Sequence, residues 1–168
     1  MKPERRETVW EGKLFDVVRE EWDGAVRELV EHPGSVAVVA FDAKRRLVLA
    51  RQLREAARVA LLELPAGVVD DGEDELDAAR RELREETGLH GGSWRRLRRL
   101  HPSPGFLREP VTVFLAEGLE EGERDLDDDE EVELVRIAED DLDGLVDRLE
   151  DAKTLAGLLL VLRERDRA

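Results

Sequence analysis

The chain has no cysteine and no tyrosine. The missing thiols exclude disulfides, zinc–thiolate sites and thiol nucleophiles together, and they fit a cytoplasmic protein. Lysine occurs only at Lys2, Lys13, Lys44 and Lys153, so nearly all positive charge is arginine. Positive charge is also outnumbered: the net charge is -15 and the pI about 4.7. That balance argues against the basic patch of a nucleic-acid binder. It would also repel an anionic substrate unless divalent cations sat at the site. No apolar run is long enough to span a bilayer. Basic residues in Met1–Arg6 have no apolar stretch behind them, so no signal peptide is expected. Neither nucleic acid nor membrane is therefore an expected partner. His32, His90 and His101 lack the spacing of metal ligands and are read as structural or surface residues.

What is present is enough for one ordinary domain: 168 residues, 41% of them hydrophobic. Residues 8–31 read as two strands around a turn at Asp23-Gly24, a strong hairpin signal. Ser35–Phe41 is a continuous apolar run of β-formers, expected as a strand buried on both faces. Strands are also expected at Leu47–Gln52, Ala60–Leu64, Trp94–Leu100, Pro110–Ala116 and Val132–Ile137. Gly67–Gly72 reads as a loop, and Gly118–Glu131 as a solvated acidic loop. Helices are expected over Asp74–Thr87, with Gly88 as C-cap, and over Glu139–Leu149 and Thr154–Arg165. Strands and helices mix without regular βαβ alternation, which favours a mixed sheet with helices packed on it.

Helix Asp74–Thr87 carries the candidate chemistry. Leu76, Ala79 and Leu83 supply its buried face. Glu82, Glu85 and Glu86 stand at i, i+3 and i+4, on one side and within reach of each other. Like charges so close destabilise an isolated helix. Spacing alone fits a solvated acidic face as well as it fits a site for hard cations, which take oxygen ligands.

The wider pattern decides between them. Gly67-x5-Glu73-x7-Arg81-Glu82-Leu83-x-Glu85-Glu86-x-Gly88-Leu89 resembles the Nudix box at every defined position. The resemblance implies the Nudix fold, an α/β/α sandwich around a mixed β-sheet, and hydrolysis of a nucleoside diphosphate linked to another group. It implies that Glu82, Glu85 and Glu86, with the Ala66 carbonyl, bind magnesium or manganese. Gly67, Glu73 and Arg81 then look like residues that orient the ligands and the loop.

The flanks, Glu63-Leu64-Pro65-Ala66-Gly67 before the box and Ser103-Pro104-Gly105-Phe106 after it, look like the ADP-ribose pyrophosphatase branch. The resemblance runs from about residue 14 to about 160. It implies substrate contacts from Arg27, Arg51, Arg54, Pro104, Gly105, Phe106 and Glu109, with the planar fork of Arg54 suited to phosphate oxygens. The general base stays open among Glu85, Glu86, Glu109 and Glu130. Base-stacking rings are to be sought among Trp10, Phe15, Trp22 and Phe106. A homodimer is implied, formed through an N-terminal part, residues 1–34, that precedes a hydrolase domain at 35–168. The expected reaction is magnesium-dependent cleavage of ADP-ribose to AMP and ribose 5-phosphate. Its rivals are another nucleoside diphosphate sugar, a dinucleotide or an oxidised nucleotide as substrate, or a non-catalytic ADP-ribose sensor. An exposed carboxylate at Glu86 is expected to matter for turnover and little for folding.

Overall fold

A computed structural model of the chain describes residues 1–125 and 132–167. Its N-terminal sheet runs β1 (Arg5–Glu11), β2 (Asp16–Trp22) and β3 (Ala25–Glu31), all antiparallel. At the β2–β3 turn Asp23 and Gly24 have φ of 51° and 73°. Two consecutive positive φ values are what the expected tight hairpin requires. One strand, β1, departs from the two-strand expectation. All seven of its residues are exposed, so no buried-face pattern marks it.

The second sheet is mixed and has seven strands among the described residues. Along its main path the order is β11 (Glu133–Ile137), β5 (Leu47–Arg54), β4 (Ser35–Asp42), β10 (Val111–Leu119) and β8 (Ser93–Leu100). On that path only the β4–β10 pair is parallel among the described residues. β4 and β5 pair at Ala40–Val48 and Phe41–Leu47. Beyond that point they part, β6 (Val59–Glu63) taking the edge of β5 and β7 (Ala66–Val68) the edge of β4. This corrects the expectation of a loop from Gly67: Gly67 and Val68 belong to a strand, because the parted β4 offers them free backbone groups.

Every residue of β4 is buried, as its apolar run predicts. Its alternation feeds two cores. Ala37, Val39 and Phe41 pack with Leu49, Leu64, Val113 and Leu158 on one face. Val36, Val38 and Ala40 pack with Ala78, Ala79, Leu83 and Leu89 on the other. Helix α1 (Glu75–Thr87) covers the second face, while α2 (Leu142–Val146) and α3 (Ala152–Arg165) cover the first. The result is the expected α/β/α sandwich.

α1 begins where Asp74 accepts a hydrogen bond from the Leu76 amide at 2.9 Å. It ends at Gly88, whose φ of 76° suits the left-handed cap. Two smaller expectations shift. Glu139–Leu149 is a 3₁₀ turn (Glu139–Asp141) followed by the short α2, not one helix. Leu119, placed at the start of the acidic loop, closes β10 fully buried. A two-residue strand, β9 (Leu107–Arg108), runs parallel to β3 and joins the turn-rich segment to the N-terminal sheet.

Candidate active site

The box assembles around one guanidinium. Arg81 Nε and Nη2 each reach a Glu73 oxygen at 3.0 Å. Nη1 donates to Glu82 at 2.8 Å and to Glu85 at 3.1 Å. Nη2 also donates to the Val68 carbonyl at 3.0 Å. One side chain on α1 thus binds the loop residue Glu73, the strand β7 and two carboxylates of its own helix. Its hydrogen bond to Glu73 holds the Glu73 carboxyl below the usual carboxylate range. The same contact, joined by Glu82 and Glu85, raises Arg81 further above its already high value.

Gly67 lies directly against Glu82. A Cβ on Gly67 would stand 2.0 Å from Glu82 Cδ and 2.2 Å from both its oxygens. The glycine is thus the absence of a side chain where a carboxylate must fit. Glu86 is buried, at 7% exposure, on the core side of α1 beside Ala79 and Leu83. That corrects the exposed face expected for it. At 100° per residue, position 86 falls nearer the buried stripe than position 85 does. Ala66, whose carbonyl is the fourth expected ligand, sits on β7 opposite Ala37.

A divalent cation fits this donor set. The donors are hard oxygens, Gly67 leaves the cradle that the Glu82 carboxylate occupies, and a positive charge, that of Arg81, already rests on Glu82 and Glu85. Among the described residues, no three carboxylates or imidazoles converge into a ready ion cage without it.

A second charged cluster adjoins the first. Arg54 donates from Nε and Nη2 to the two oxygens of Glu63 at 2.8 and 2.9 Å. The Glu63 hydrogen bond raises the Arg54 pKa against the effect of burial, with smaller contributions from Glu86 and Asp151. Glu63 is itself 2% exposed. Lys153 approaches Glu63 at 3.8 Å and Asp151 at 3.1 Å. Asp151 caps α3 through the Thr154 amide, and the Thr154 hydroxyl accepts the Leu64 amide at 2.8 Å. The C-terminal helix is thereby pinned to the segment that leads into the box. Sequence reasoning missed Lys153; its place as one of four lysines is no signal, and only the fold brings residue 153 to residue 63.

The other expected residues divide. Glu109 accepts a hydrogen bond from Ser35 at 2.7 Å. Ser35 pairs with Val68, the residue whose carbonyl Arg81 holds, so Glu109 stands beside the box. Arg51 does not join Arg54. It lines a separate cavity of about 290 Å³ with Leu62, Val135, Ile137 and Arg148, and it pairs with Glu133 at 3.5 Å. Three positions apart on a strand, the two arginines leave opposite faces. Arg27 projects from β3 and donates to the Val26 carbonyl at 3.1 Å. Pro104, Gly105 and Phe106 form an exposed loop anchored by the Phe106 carbonyl on the Val30 amide at 2.8 Å. Trp10 and Phe15 pack together at 5.3 Å between ring centroids, both well exposed. Trp22 donates to Glu20 at 2.8 Å. Glu130 lies outside the described residues.

Comparison with known proteins agrees with this geometry. Residues 31–158 match the NUDIX domain family. The ADP-ribose pyrophosphatase of Bacillus subtilis (strain 168) is 37% identical over 158 residues, 89% of this chain and 85% of the relative. That of Mycobacterium tuberculosis (strain ATCC 25618 / H37Rv) is 45% identical over 121 residues, 68% of this chain and 58% of the relative. A crystal structure described as an ADP compounds hydrolase superposes with a TM-score of 0.81 at 24% identity, covering 100% of this chain and 98% of that one. At that identity the likeness speaks for the fold. The family match spans most of the chain, the Bacillus relative covers still more of it, and the box stands in the loop–helix setting such a site requires: the chain belongs to the NUDIX family.

Proposed function

We propose that the chain is a metal-dependent pyrophosphatase that hydrolyses ADP-ribose to AMP and ribose 5-phosphate. The observation that carries this reading is the Arg81 cluster, which holds Glu73, Glu82 and Glu85 together over the cradle left by Gly67. The ADP-ribose pyrophosphatase relatives supply the substrate.

In this reading Glu82, Glu85, Glu86 and the Ala66 carbonyl would hold magnesium, which would screen the diphosphate and make a water more acidic. Arg54 offers the diphosphate those N–H groups that Glu63 does not use, and the fork geometry orients it. Glu63 keeps that fork from swinging away. Glu109, beside Ser35 and within the neighbourhood of Val68, accepts a proton from the attacking water or a hydrogen bond from a hydroxyl of the terminal ribose. In-line attack at one phosphorus breaks one P–O bond of the anhydride, and the proton balance closes on these carboxylates and bulk water. Pro104, Gly105 and Phe106 border the substrate from the loop side.

The same reading takes residues 1–34 as a dimer-forming part of a homodimer. The exposed β1 and the surface rings of Trp10 and Phe15 support it, and Arg27 then meets substrate across the interface. Among the described residues, no helix is long and apolar enough to cross a membrane. The reading places the protein in the cytoplasm, which a chain without cysteine suits.

A hydrolysis panel with magnesium tests the function. ADP-ribose, nucleoside diphosphate sugars, NADH and nucleoside triphosphates are compared by product analysis. GDP-mannose belongs in the panel, because GDP-mannose pyrophosphatase of Escherichia coli O1:K1 / APEC is 35% identical over 61% of this chain and 58% of that relative. ADP-ribose is expected to give AMP and ribose 5-phosphate with the highest kcat/KM. Preference for another substrate would remove ADP-ribose, and no cleavage with any divalent metal would remove the enzyme.

A further inference from the structure

The segment after β10 is strongly acidic. Glu120–Glu131 holds nine carboxylates, and Arg124 is its only cation. Arg124 nevertheless directs its fork at main chain. Its Nε donates to the Glu86 carbonyl at 2.7 Å and its Nη2 to the Val132 carbonyl at 3.0 Å. Next to it, the Asp125 amide donates to the Glu85 carbonyl at 3.0 Å. The last carbonyls of a helix have no partner within it. Here two of them, at the box residues Glu85 and Glu86, are taken by consecutive residues of another segment.

The rest of the contact is equally close. His90 and Glu120 exchange backbone hydrogen bonds at 3.0 and 2.9 Å. A Cβ on Gly88 would lie 2.5 Å from the Gly122 carbonyl oxygen. Segment 120–125 therefore lies along the final turn of α1, with no room for a side chain at Gly88. A guanidinium at this end also complements the negative pole of the helix. Through Val132, the same fork reaches the chain that enters β11.

We propose that Arg124 is a positioning residue of the active site. By holding the Glu86 carbonyl, beside the Asp125 amide on Glu85, it fixes the last turn of α1. It thereby fixes the directions in which the Glu85 and Glu86 carboxylates leave the backbone. Its link to Val132 ties that turn to the edge strand β11, so the turn cannot fray independently of the sheet. The inference rests on the reading of Glu85 and Glu86 as cation-binding. A shift of well under an ångström at such groups matters, because ligating side chains must be held near their productive geometry.

The test compares wild type with Arg124→Ala and Arg124→Lys. Mn²⁺ affinity is measured by the EPR signal of free Mn²⁺, which needs no turnover. kcat and KM for ADP-ribose are measured at saturating magnesium, and thermal melts are recorded alongside. Arg124→Ala is expected to weaken Mn²⁺ binding and lower kcat by about tenfold each, the scale seen when a group that orients metal ligands is lost. KM should stay within about twofold, since no substrate contact is removed. Arg124→Lys should fall between, because one ammonium can replace the bond to Glu86 but not the fork that also reaches Val132. If Arg124→Ala fails to fold, the Lys variant carries the test on the same measurements. A lowered melting temperature with wild-type Mn²⁺ affinity and kcat would make Arg124 merely structural and overturn the proposal. A wild type that neither binds Mn²⁺ nor cleaves ADP-ribose would overturn the functional reading itself, and this one with it.

Discussion

Replacing Gly67 by alanine adds one methyl group at the point where the site is tightest. Its Cβ would stand 2.0 Å from Glu82 Cδ, whereas non-bonded carbons rest about 3.5 Å apart or more. The Glu82 carboxylate must therefore move by about 1.5 Å or more, and it can, because it ends a flexible side chain. Stability should suffer little. Overpacking costs about 1–3 kcal/mol, and the lost backbone freedom of the unfolded chain returns about 0.4–1 kcal/mol. A net loss of about 1–2 kcal/mol is expected. Activity should suffer far more, since misplacing a reacting or ligating group by about 1 Å costs about a hundredfold. The displaced carboxylate also leaves Arg81 Nη1, now 2.8 Å away. Steady-state hydrolysis of ADP-ribose at saturating magnesium, beside a urea melt, measures both quantities. A Gly67→Ala protein with kcat within about threefold of wild type would refute the view that Glu82 must occupy this cradle. Loss of most of the folding stability would refute it differently, by showing that β7 had moved and not the carboxylate alone.

Three further outcomes follow from other contacts. Glu86→Gln keeps the shape of a buried side chain and removes its charge, so kcat should fall by about a hundredfold or more. The melting temperature should change far less than kcat does, because the shape of the side chain is kept; an unchanged kcat would remove Glu86 from the site. The Glu73 carboxyl is held below its ordinary value by Arg81, so its stabilising effect is present above about pH 4.3 and is lost as the pH falls through the lowered folded value. Urea melts from pH 6 to 3 should therefore show wild type losing stability relative to Glu73→Gln, and parallel curves would contradict the assignment. Gly144 sits within α2, and a methyl group added there would meet no described atom within 4 Å beyond its chain neighbours and its own helix backbone. Gly144→Ala should raise stability by about 0.5–1 kcal/mol with unchanged kcat, read by thermal melt and hydrolysis.

Much of the architecture is written in local pattern. The apolar run at Ser35–Phe41, the Asp23-Gly24 turn and the capped helix before Gly88 each have a short-range cause, and each stands where its cause lies. β1 is missed because it is polar and exposed throughout, so its pairing with β2 leaves no periodic trace. β7 is missed because it exists only where β4 and β5 diverge, a fact about the sheet and not about Ala66-Gly67-Val68. In the site, Arg81 meets Glu82 and Glu85 within little more than one turn of the same helix, a contact of short range. Arg51 and Arg54 separate by strand parity, which sequence similarity to a motif does not report. Arg124 left no signal, because its partners are carbonyls, and every residue has one. The burial of Glu86 escaped because it depends on which way the helix is rolled against β4.

The Arg81 cluster bears on how the chain comes to be folded at all. Three carboxylates brought within one guanidinium's reach would repel one another if nothing answered their charge. Here the answer is covalently attached, on the same helix, and forms with the helix. The chain therefore supplies its own counter-ion to Glu73, Glu82 and Glu85, so this cluster calls for no divalent ion to offset its charge. On the proposed reading, an arriving ion would exchange partners with an arginine in a finished scaffold, and its strength of binding would be set by that exchange.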